Sequence, residues 1–259
     1  MDEKTCSYYY TTDTSMRAPG GAFTPAAYLR LVETALEAHM TVLQLDVPRL
    51  VREFGVTWVL LSISFEMRRA VGPNERVCVK TWATYRKGAV YRREVQLLGD
   101  DGAVIANAAA FYALLDVRAR RICMDKSVMA AIDLPDGGTL LTAGSRTQFD
   151  PAGFTPVETR RVRPSWLDAI GHMNNSRYAE LAFDALTADE RARMDALSRL
   201  EFYFMSELRQ ADAVQILRCA QENGASVAGV READGKASFL VKFFFGAQQT
   251  SGDTIIRTA

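Results

Sequence analysis

The sequence predicts an α+β protein built of two tandem halves, each with one long helix followed by an antiparallel meander of strands. In both halves, a helical pattern of apolar residues comes before runs with the alternation typical of strands. An Asp-Gly hairpin turn recurs in the two meanders, at residues 101–102 and 234–235. Tyr28 in the first predicted helix corresponds to Tyr178 in the second, 150 residues later. The shared order and matching turns indicate an internal repeat.

The first half contains a strand-prone aromatic run at residues 8–10, then a helix and four strands. Thr24 followed by Pro25 is typical of an N-cap and a first helical position, and the apolar spacing predicts a helix to about residue 45. Strands are predicted at residues 57–67, 76–83, 90–98 and 104–116.

The second half repeats this order after a weaker region rich in glycine and proline. Thr187 and Glu190 form a capping-box pattern that predicts a second short helix. We therefore divide the chain into an N-terminal half at 1–130, a linker at 131–154 and a C-terminal half at 155–259. Within the C-terminal half the predicted strands are 157–162, 200–205, 213–220, 226–232 and 238–246, with a helix at 174–186.

A long helix wrapped by one curved antiparallel sheet is the hot-dog arrangement. Two copies in tandem predict a double hot-dog, in which the two sheets join into one continuous sheet. The alternative is an unrelated α+β protein with two sheet modules. The recurrence of helix, meander and turns in the same order favours the double hot-dog.

Composition excludes several classes of function. The formal net charge is zero, which argues against a nucleic-acid partner or an anionic membrane surface. The four cysteines form no CxxC pair and have no histidine cluster beside them, so we expect no metal site and no cofactor. The N-terminus lacks the basic and apolar regions of a signal peptide, and no apolar run could span a bilayer. We expect a cytoplasmic protein with reduced thiols.

Residues 168–178 carry the strongest chemical signal, with the pattern Asp-x-x-Gly-His-x-Asn-Asn-x-x-Tyr. This segment holds one of only two histidines and lies at the start of a predicted helix. A helix N-terminus offers unpaired backbone N–H groups and the positive end of the helix dipole. An acidic residue, an imidazole and such donors together suit the stabilisation of a developing oxyanion.

This motif resembles the helix start of hot-dog thioesterases, and most of the chain resembles the acyl-acyl carrier protein (acyl-ACP) thioesterases of bacteria and plants. Residues 204–212 are similar to the family's strand-end glutamate and later aspartate. The resemblance implies hydrolysis of fatty acyl-ACP, which releases free fatty acid and terminates fatty acid synthesis. It implies ACP, with its phosphopantetheine-linked acyl chain, as the partner.

The resemblance also implies roles for individual residues. Ile170 stands where the family has a catalytic asparagine, and Leu208 stands where the plant enzymes have a cysteine. We expect a general base at Glu207, with its pKa raised by burial, and oxyanion donors among the backbone N–H groups of residues 172–174. The implied catalytic residues are Asp168, His172 and Glu207, and the implied oxyanion or substrate-positioning residues are Gly171, Met173, Asn174 and Asn175.

The first half has no comparable motif near Thr24, so we expect it to hold the acyl chain rather than a catalytic site. His39 lies on the apolar face of the first helix and is interpreted as structural. Candidate pocket residues are Met40, Trp58, Leu60 and Phe65, and candidate residues for carrier docking are Arg160, Arg161 and Arg163.

Two alternatives to the leading function stay open. One is an acyl-CoA thioesterase, and the other is a non-catalytic acyl-thioester-binding protein, which Ile170 favours because isoleucine cannot hydrogen-bond a thioester or a water. The sequence leaves open whether the chain forms a homodimer.

Overall fold

The computed structural model describes residues 4–132, 134, 137–168 and 170–246. In these ranges, 11 strands form a single antiparallel sheet. The strands are β1 (Cys6–Thr11), β2 (Val56–Met67), β3 (Arg76–Lys87), β4 (Val90–Leu98), β5 (Val104–Asp116), β6 (Arg121–Ile122), β7 (Thr155–Arg161), β8 (Leu197–Phe204), β9 (Ala213–Gln221), β10 (Gly224–Arg231) and β11 (Ala237–Phe245). The helices are α1 (Pro25–Val42), α2 (Val47–Phe54), α3 (Lys126–Ala131), α4 (Asn175–Asp184) and α5 (Ala188–Ala192).

The strand order is symmetric about the pairing of β2 with β8. It runs β1-β3-β4-β5-β2-β8-β11-β10-β9-β7, with β6 paired to β5. The two halves meet in an antiparallel register from Ser62 opposite Tyr203 to Glu66 opposite Arg199. The double hot-dog with one continuous sheet is therefore confirmed.

The helices α1 and α4 pack against each other on one face of the sheet, which we call the inner face. Arg30 of α1 forms an ion pair with Glu180 of α4, with 2.5 Å between Nη2 and Oε1. Phe65 of β2 and Phe202 of β8 meet edge to face below the helices, with ring centroids 6.3 Å apart. This shared core makes the two halves one packing unit.

Both long helices begin where their N-caps predict. Thr24 Oγ1 accepts the Ala27 N–H at the start of α1, and Asn174 caps α4 in the same way through Ser176. The capping box predicted at Thr187 is present, with both of its hydrogen bonds to Glu190.

The sequence analysis missed α2 and extended α1 too far. Helix α1 ends at Val42, and a second helix begins after Asp46, which caps it, and ends at Gly55 in the left-handed region with a φ of 67°. These are ordinary start and stop signals. They were overlooked because α2 is only 8 residues long and leads directly into β2.

The predicted linker lacks regular structure at residues 137–154 yet packs on the outer face of the sheet. Arg92 and Glu94 form a buried ion pair there, with 2.6 Å between Nε and Oε1. Arg92 donates to the Leu141 carbonyl at 2.5 Å, and Glu94 accepts the Leu140 N–H at 3.2 Å. The linker is thus fixed to the first half by buried polar contacts.

Candidate active site

The loop before α4 is held in shape by a single carboxylate. Asp168 Oδ1 accepts the backbone N–H groups of Ile170 at 2.9 Å and His172 at 3.0 Å. Gly171 takes a φ of 79°, which suits glycine, and completes the turn. Asp168 therefore contacts the backbone of the loop and fixes the position from which the imidazole projects.

Most backbone N–H groups at this helix start already have acceptors. Besides the His172 N–H, which Asp168 accepts, the Met173 N–H donates to Leu208 O and the Asn174 N–H to Trp166 O, each at 2.9 Å. None of the three expected donors is free to bind a carbonyl oxygen in this structure. The Asn175 N–H, at the first position of α4, has no acceptor among the described residues.

The two asparagines of the motif make different contacts. Asn174 Oδ1 accepts the backbone N–H and the hydroxyl of Ser176, at 2.9 and 2.7 Å, and so caps the helix. Asn175 Nδ2 donates to Glu33 of α1 at 2.8 Å. Asn175 thus links the start of the second-half helix to the interior of the first half.

His172 and Glu207 lie side by side although 35 residues separate them in sequence. The imidazole Nε2 is 3.1 Å from Oε2 of Glu207, which follows β8. The next residue, Leu208, is buried, and its N–H donates to the Tyr178 hydroxyl at 3.1 Å while its carbonyl accepts from Met173. These hydrogen bonds hold the segment after β8 against α4 and the loop before it, and they position Glu207 beside His172.

Arg120 is a site residue that the sequence analysis missed. It lies in the turn between β5 and β6 of the first half, and its Nη2 contacts both His172 Nε2 and Glu207 Oε2. Arg209 contacts the other carboxylate oxygen of Glu207, with 2.8 Å from its Nε. In the sequence, the basic run at residues 118–121 was only a weak signal for a site residue. The contact between Arg120 and His172 depends on how the two halves pair, which the run does not indicate.

The electrostatics leave an ionised carboxylate beside a neutral imidazole. Burial acts to raise the pKa of Glu207, but hydrogen bonds from Arg120 and Arg209 outweigh it and lower the pKa below its usual value. The expectation of a raised Glu207 pKa is therefore wrong. Burial, with help from the Arg120 charge, lowers the pKa of His172 despite the opposing effect of Glu207.

The equivalent position in the first half carries none of these groups. At the 150-residue offset, Ala18 stands for Asp168 and Ala22 for His172. Pro25 stands for Asn175, so even the unpaired backbone N–H is missing there.

Arg17 instead bridges two backbone carbonyls at this position in the first half. Its Nη1 donates to the Gly21 carbonyl at 2.7 Å and to the Val71 carbonyl at 3.2 Å. The structure therefore has one site of this type in its described residues.

The other predicted residues are spread over different surroundings. The Ile170 side chain is exposed, at 45% of its full surface, so the departure from the family pattern lies at the rim of the loop. Leu60 and Phe65 belong to the main core below the helices. Trp58 meets Tyr112 edge to face, and Met40 lies beside a buried arginine, Arg93. Of the proposed docking residues, Arg160 pairs with Glu158 at 2.7 Å, Arg161 donates to the Ala211 carbonyl at 3.0 Å, and Arg163 is exposed.

Two further properties of the described residues bear on function. No helix in these ranges is long and apolar enough to cross a membrane. The same ranges contain no group of three or more His, Cys, Asp or Glu side chains placed to hold a metal ion.

Comparison with known proteins identifies the class of enzyme. The acyl-ACP thioesterase N-terminal domain matches residues 13–132, and the acyl-ACP thioesterase C-terminal domain matches residues 155–245. The chain therefore belongs to the acyl-ACP thioesterase family and is a thioester hydrolase that acts on fatty acyl-ACP. A search of curated proteins finds no match.

Solved structures show the same fold. An acyl-ACP thioesterase from Bacteroides thetaiotaomicron is similar with a TM-score of 0.81 and 20% identity, covering 95% of this chain and 100% of that one. A 12:0-ACP thioesterase from Umbellularia californica gives a TM-score of 0.77 at 12% identity, covering 93% of this chain and 97% of that one.

Substituting Arg120 should change the pH dependence of hydrolysis. In Arg120→Met, Glu207 loses a hydrogen bond and a positive charge that lower its pKa, and His172 loses a charge that acts in the same direction. Both pKa values should rise, so the acidic limb of kcat/KM should move to higher pH. Arg118→Met, an exposed residue of the same turn, serves as the control. An acidic limb that stays in place or moves to lower pH would contradict the role given to Arg120.

Proposed function

We propose that His172 and Glu207 form the catalytic centre for hydrolysis of fatty acyl-ACP, with the thioester carbonyl placed at the start of α4. The observation that carries this proposal is the 3.1 Å contact between Nε2 and Oε2, formed at a helix N-terminus by residues from separate elements. An ionised carboxylate, a neutral imidazole and an unpaired N–H are the groups that water attack on a thioester needs.

The proposed reaction begins with a water between the thioester and Glu207. Glu207 takes a proton from this water as its oxygen attacks the carbonyl carbon, and the Asn175 N–H stabilises the oxyanion that forms. The carbon–sulfur bond then breaks, the phosphopantetheine sulfur receives the proton that Glu207 took from the water, and fatty acid is released with Glu207 ionised again. His172 orients the water through Nε2.

Arg120 must move away from Glu207 during this cycle. While it contacts the carboxylate it lowers the pKa of Glu207, which makes a weak base. Its Nη2 also contacts Glu207 Oε2 and His172 Nε2, the two atoms that must contact the attacking water. Asp168 supports the reaction indirectly by fixing the loop that carries His172.

The acyl chain is proposed to extend into the first half, because Asn175 already contacts Glu33 there and the first half lacks the catalytic groups. The family models describe acyl-ACP thioesterases, so hydrolysis is favoured over the non-catalytic acyl-binding alternative that Ile170 suggested.

The decisive measurement is hydrolysis of fatty acyl-ACP by purified Glu207→Ala and His172→Ala proteins, beside acyl-CoA with the same chains. We expect kcat/KM on acyl-ACP to fall by roughly a hundredfold or more in both variants, as for the loss of a general base or its partner. Glu222→Ala, in the exposed turn between β9 and β10, is the control and should match the wild type. Turnover near the wild-type level in both site variants would refute the assignment.

The role of the Asn175 N–H can be tested with proline. Asn175→Pro removes this N–H at a helix position where proline is favoured, and Asn174, with φ −59° and ψ 139°, already has the backbone that precedes a proline. We expect kcat to fall roughly a hundredfold, as for loss of an oxyanion donor. Asn175→Ala is the matched control, because it loses the same contact with Glu33 but keeps the N–H. Equal kcat values in the two variants would rule out this donor.

We further propose that Arg161 and Arg163, which precede the site, help to dock the acidic carrier protein. The double reversal Arg161→Glu with Arg163→Glu should raise KM for acyl-ACP by roughly tenfold and weaken its salt dependence, since steering charges act mainly on association. KM for an acyl-pantetheine, which lacks the carrier, should stay the same. Arg52→Glu, at an exposed position on α2, is the charge control. An unchanged KM for acyl-ACP would reject this docking face.

A further inference from the structure

Arg120 of the first half contacts both members of the proposed catalytic pair in the second half. Its Nη2 lies against Glu207 Oε2 and His172 Nε2. The side chains of Arg120 and Glu207 are exposed at 33% and 32% of their full surface, so the contact lies where a docked molecule can reach it. A substrate that docks at this surface therefore meets Arg120 next to the proposed base.

Glu207 keeps a positive partner when Arg120 is withdrawn. Arg209 Nε donates to the other carboxylate oxygen, Oε1, at 2.8 Å. Arg231 Nη1 donates to the backbone carbonyl of Glu207 at 3.1 Å and so helps to hold this residue in place. An ion pair as exposed as that between Arg120 and Glu207 contributes little to stability. Withdrawal of Arg120 would therefore free Oε2 for a water without leaving the carboxylate uncompensated.

The withdrawal requires only a change of side-chain conformation. Asp116 fixes the backbone of the turn, because its Oδ1 accepts the N–H groups of Arg118 at 2.9 Å and Ala119 at 2.8 Å. The Asp116 carbonyl accepts the Arg120 N–H at 2.8 Å. From this fixed backbone, rotation about the side-chain bonds can carry the guanidinium from Glu207 toward solvent. Exposed side chains change rotamer rapidly compared with enzyme turnover.

A displaced guanidinium needs an anion from outside the chain. Among the described residues, Glu207 is the one carboxylate that forms an ion pair with Arg120. Carboxylates and phosphates are the anions that arginine binds with paired hydrogen bonds. Fatty acyl-ACP brings both, a phosphodiester at the base of its phosphopantetheine arm and carboxylates on the acidic carrier, whereas an acyl-pantetheine brings neither.

We propose that Arg120 makes the enzyme selective for carrier-bound thioesters. In the free enzyme Arg120 contacts Glu207 Oε2, and an anionic group of the docked carrier binds the guanidinium and withdraws it. Glu207 and His172 then contact the attacking water. This inference rests on the proposed function, because it takes Glu207 to be the base. A thioester without the anion would bind but would be hydrolysed slowly, so the selectivity lies mainly in kcat.

The first test presents one acyl chain on pantetheine, on phosphopantetheine and on ACP. We expect the wild type to show a kcat roughly tenfold or more higher on acyl-ACP than on acyl-pantetheine. A kcat on acyl-phosphopantetheine near that on acyl-ACP identifies the phosphate as the anion, and one near that on acyl-pantetheine identifies the carboxylates of the carrier. Equal kcat values on all three substrates would overturn the inference.

Arg120→Met should raise kcat on acyl-pantetheine by roughly tenfold, toward the value on acyl-ACP, because Oε2 is then free without an anion. Each protein is measured at a pH above its acidic limb, since that limb is expected to move in this variant. Arg120→Lys keeps the charge and should keep part of the selectivity. Arg118→Met is the matched control, because it removes one positive charge from an exposed position of the same turn and should keep the wild-type ratio. A wild-type ratio in Arg120→Met would reject the inference.

The imidazole of His172 reports the position of Arg120 independently of turnover. Besides burial, the Arg120 charge lowers the pKa of His172, so withdrawal should raise it. The enzyme contains only two histidines, so its labelled histidines can be titrated by NMR beside an unlabelled carrier. We expect a non-hydrolysable acyl-ACP amide to raise the His172 pKa above that with the acyl-pantetheine amide in the wild type, and not in Arg120→Met. The same pKa with both amides in the wild type would contradict withdrawal.

Failure of this inference differs from failure of the proposed function. Loss of hydrolysis in Glu207→Ala, together with wild-type selectivity in Arg120→Met, leaves Glu207 as the base and rejects Arg120 as the source of selectivity. Hydrolysis of acyl-ACP by Glu207→Ala at the wild-type rate refutes the base, and the inference about Arg120 falls with it.

Discussion

The antiparallel pairing of β2 with β8 is the interaction on which the rest of the molecule depends. It joins two sheets into one, and it thereby brings α1 and α4 together on the inner face. The same pairing carries the end of β8 toward the turn after β5, because β2 lies between those strands. Arg120 of the first half can reach Glu207 of the second only through this arrangement. The candidate site therefore depends on the pairing of β2 with β8 as well as on the local motif at residues 168–178.

Local signals predicted the frame of the fold well. Thr24 with Pro25, Asn174 and the Thr187 capping box mark helix starts through contacts that span only a few residues. The alternating strand pattern placed the meanders, because alternate residues of strands such as β3 face the buried core. A resemblance to thioesterases then supplied Glu207, which no local pattern distinguishes from an exposed charge.

The features that the sequence did not predict depend on contacts from residues outside the motif at 168–178. Arg120 lies 52 residues before His172 and 87 before Glu207, and its turn carries no pattern that points to either. The predicted direction of the Glu207 pKa shift was wrong because burial alone would raise the pKa, whereas hydrogen bonds from Arg120 and Arg209 lower it. The acceptors of the Met173 and Asn174 N–H groups are the carbonyls of Leu208 and Trp166, which lie outside the motif.

Pro25 makes the two halves differ in a backbone group as well as in their side chains. Pro25 removes a backbone N–H from the position equivalent to Asn175 and also stabilises the first turn of α1. Ala18 and Ala22 occupy the remaining equivalent positions, and Arg17 holds the loop closed. Restoring a second centre would therefore require an aspartate, a histidine and a non-proline residue together, and the last of these changes would remove the stabilisation that proline gives to the first turn of α1.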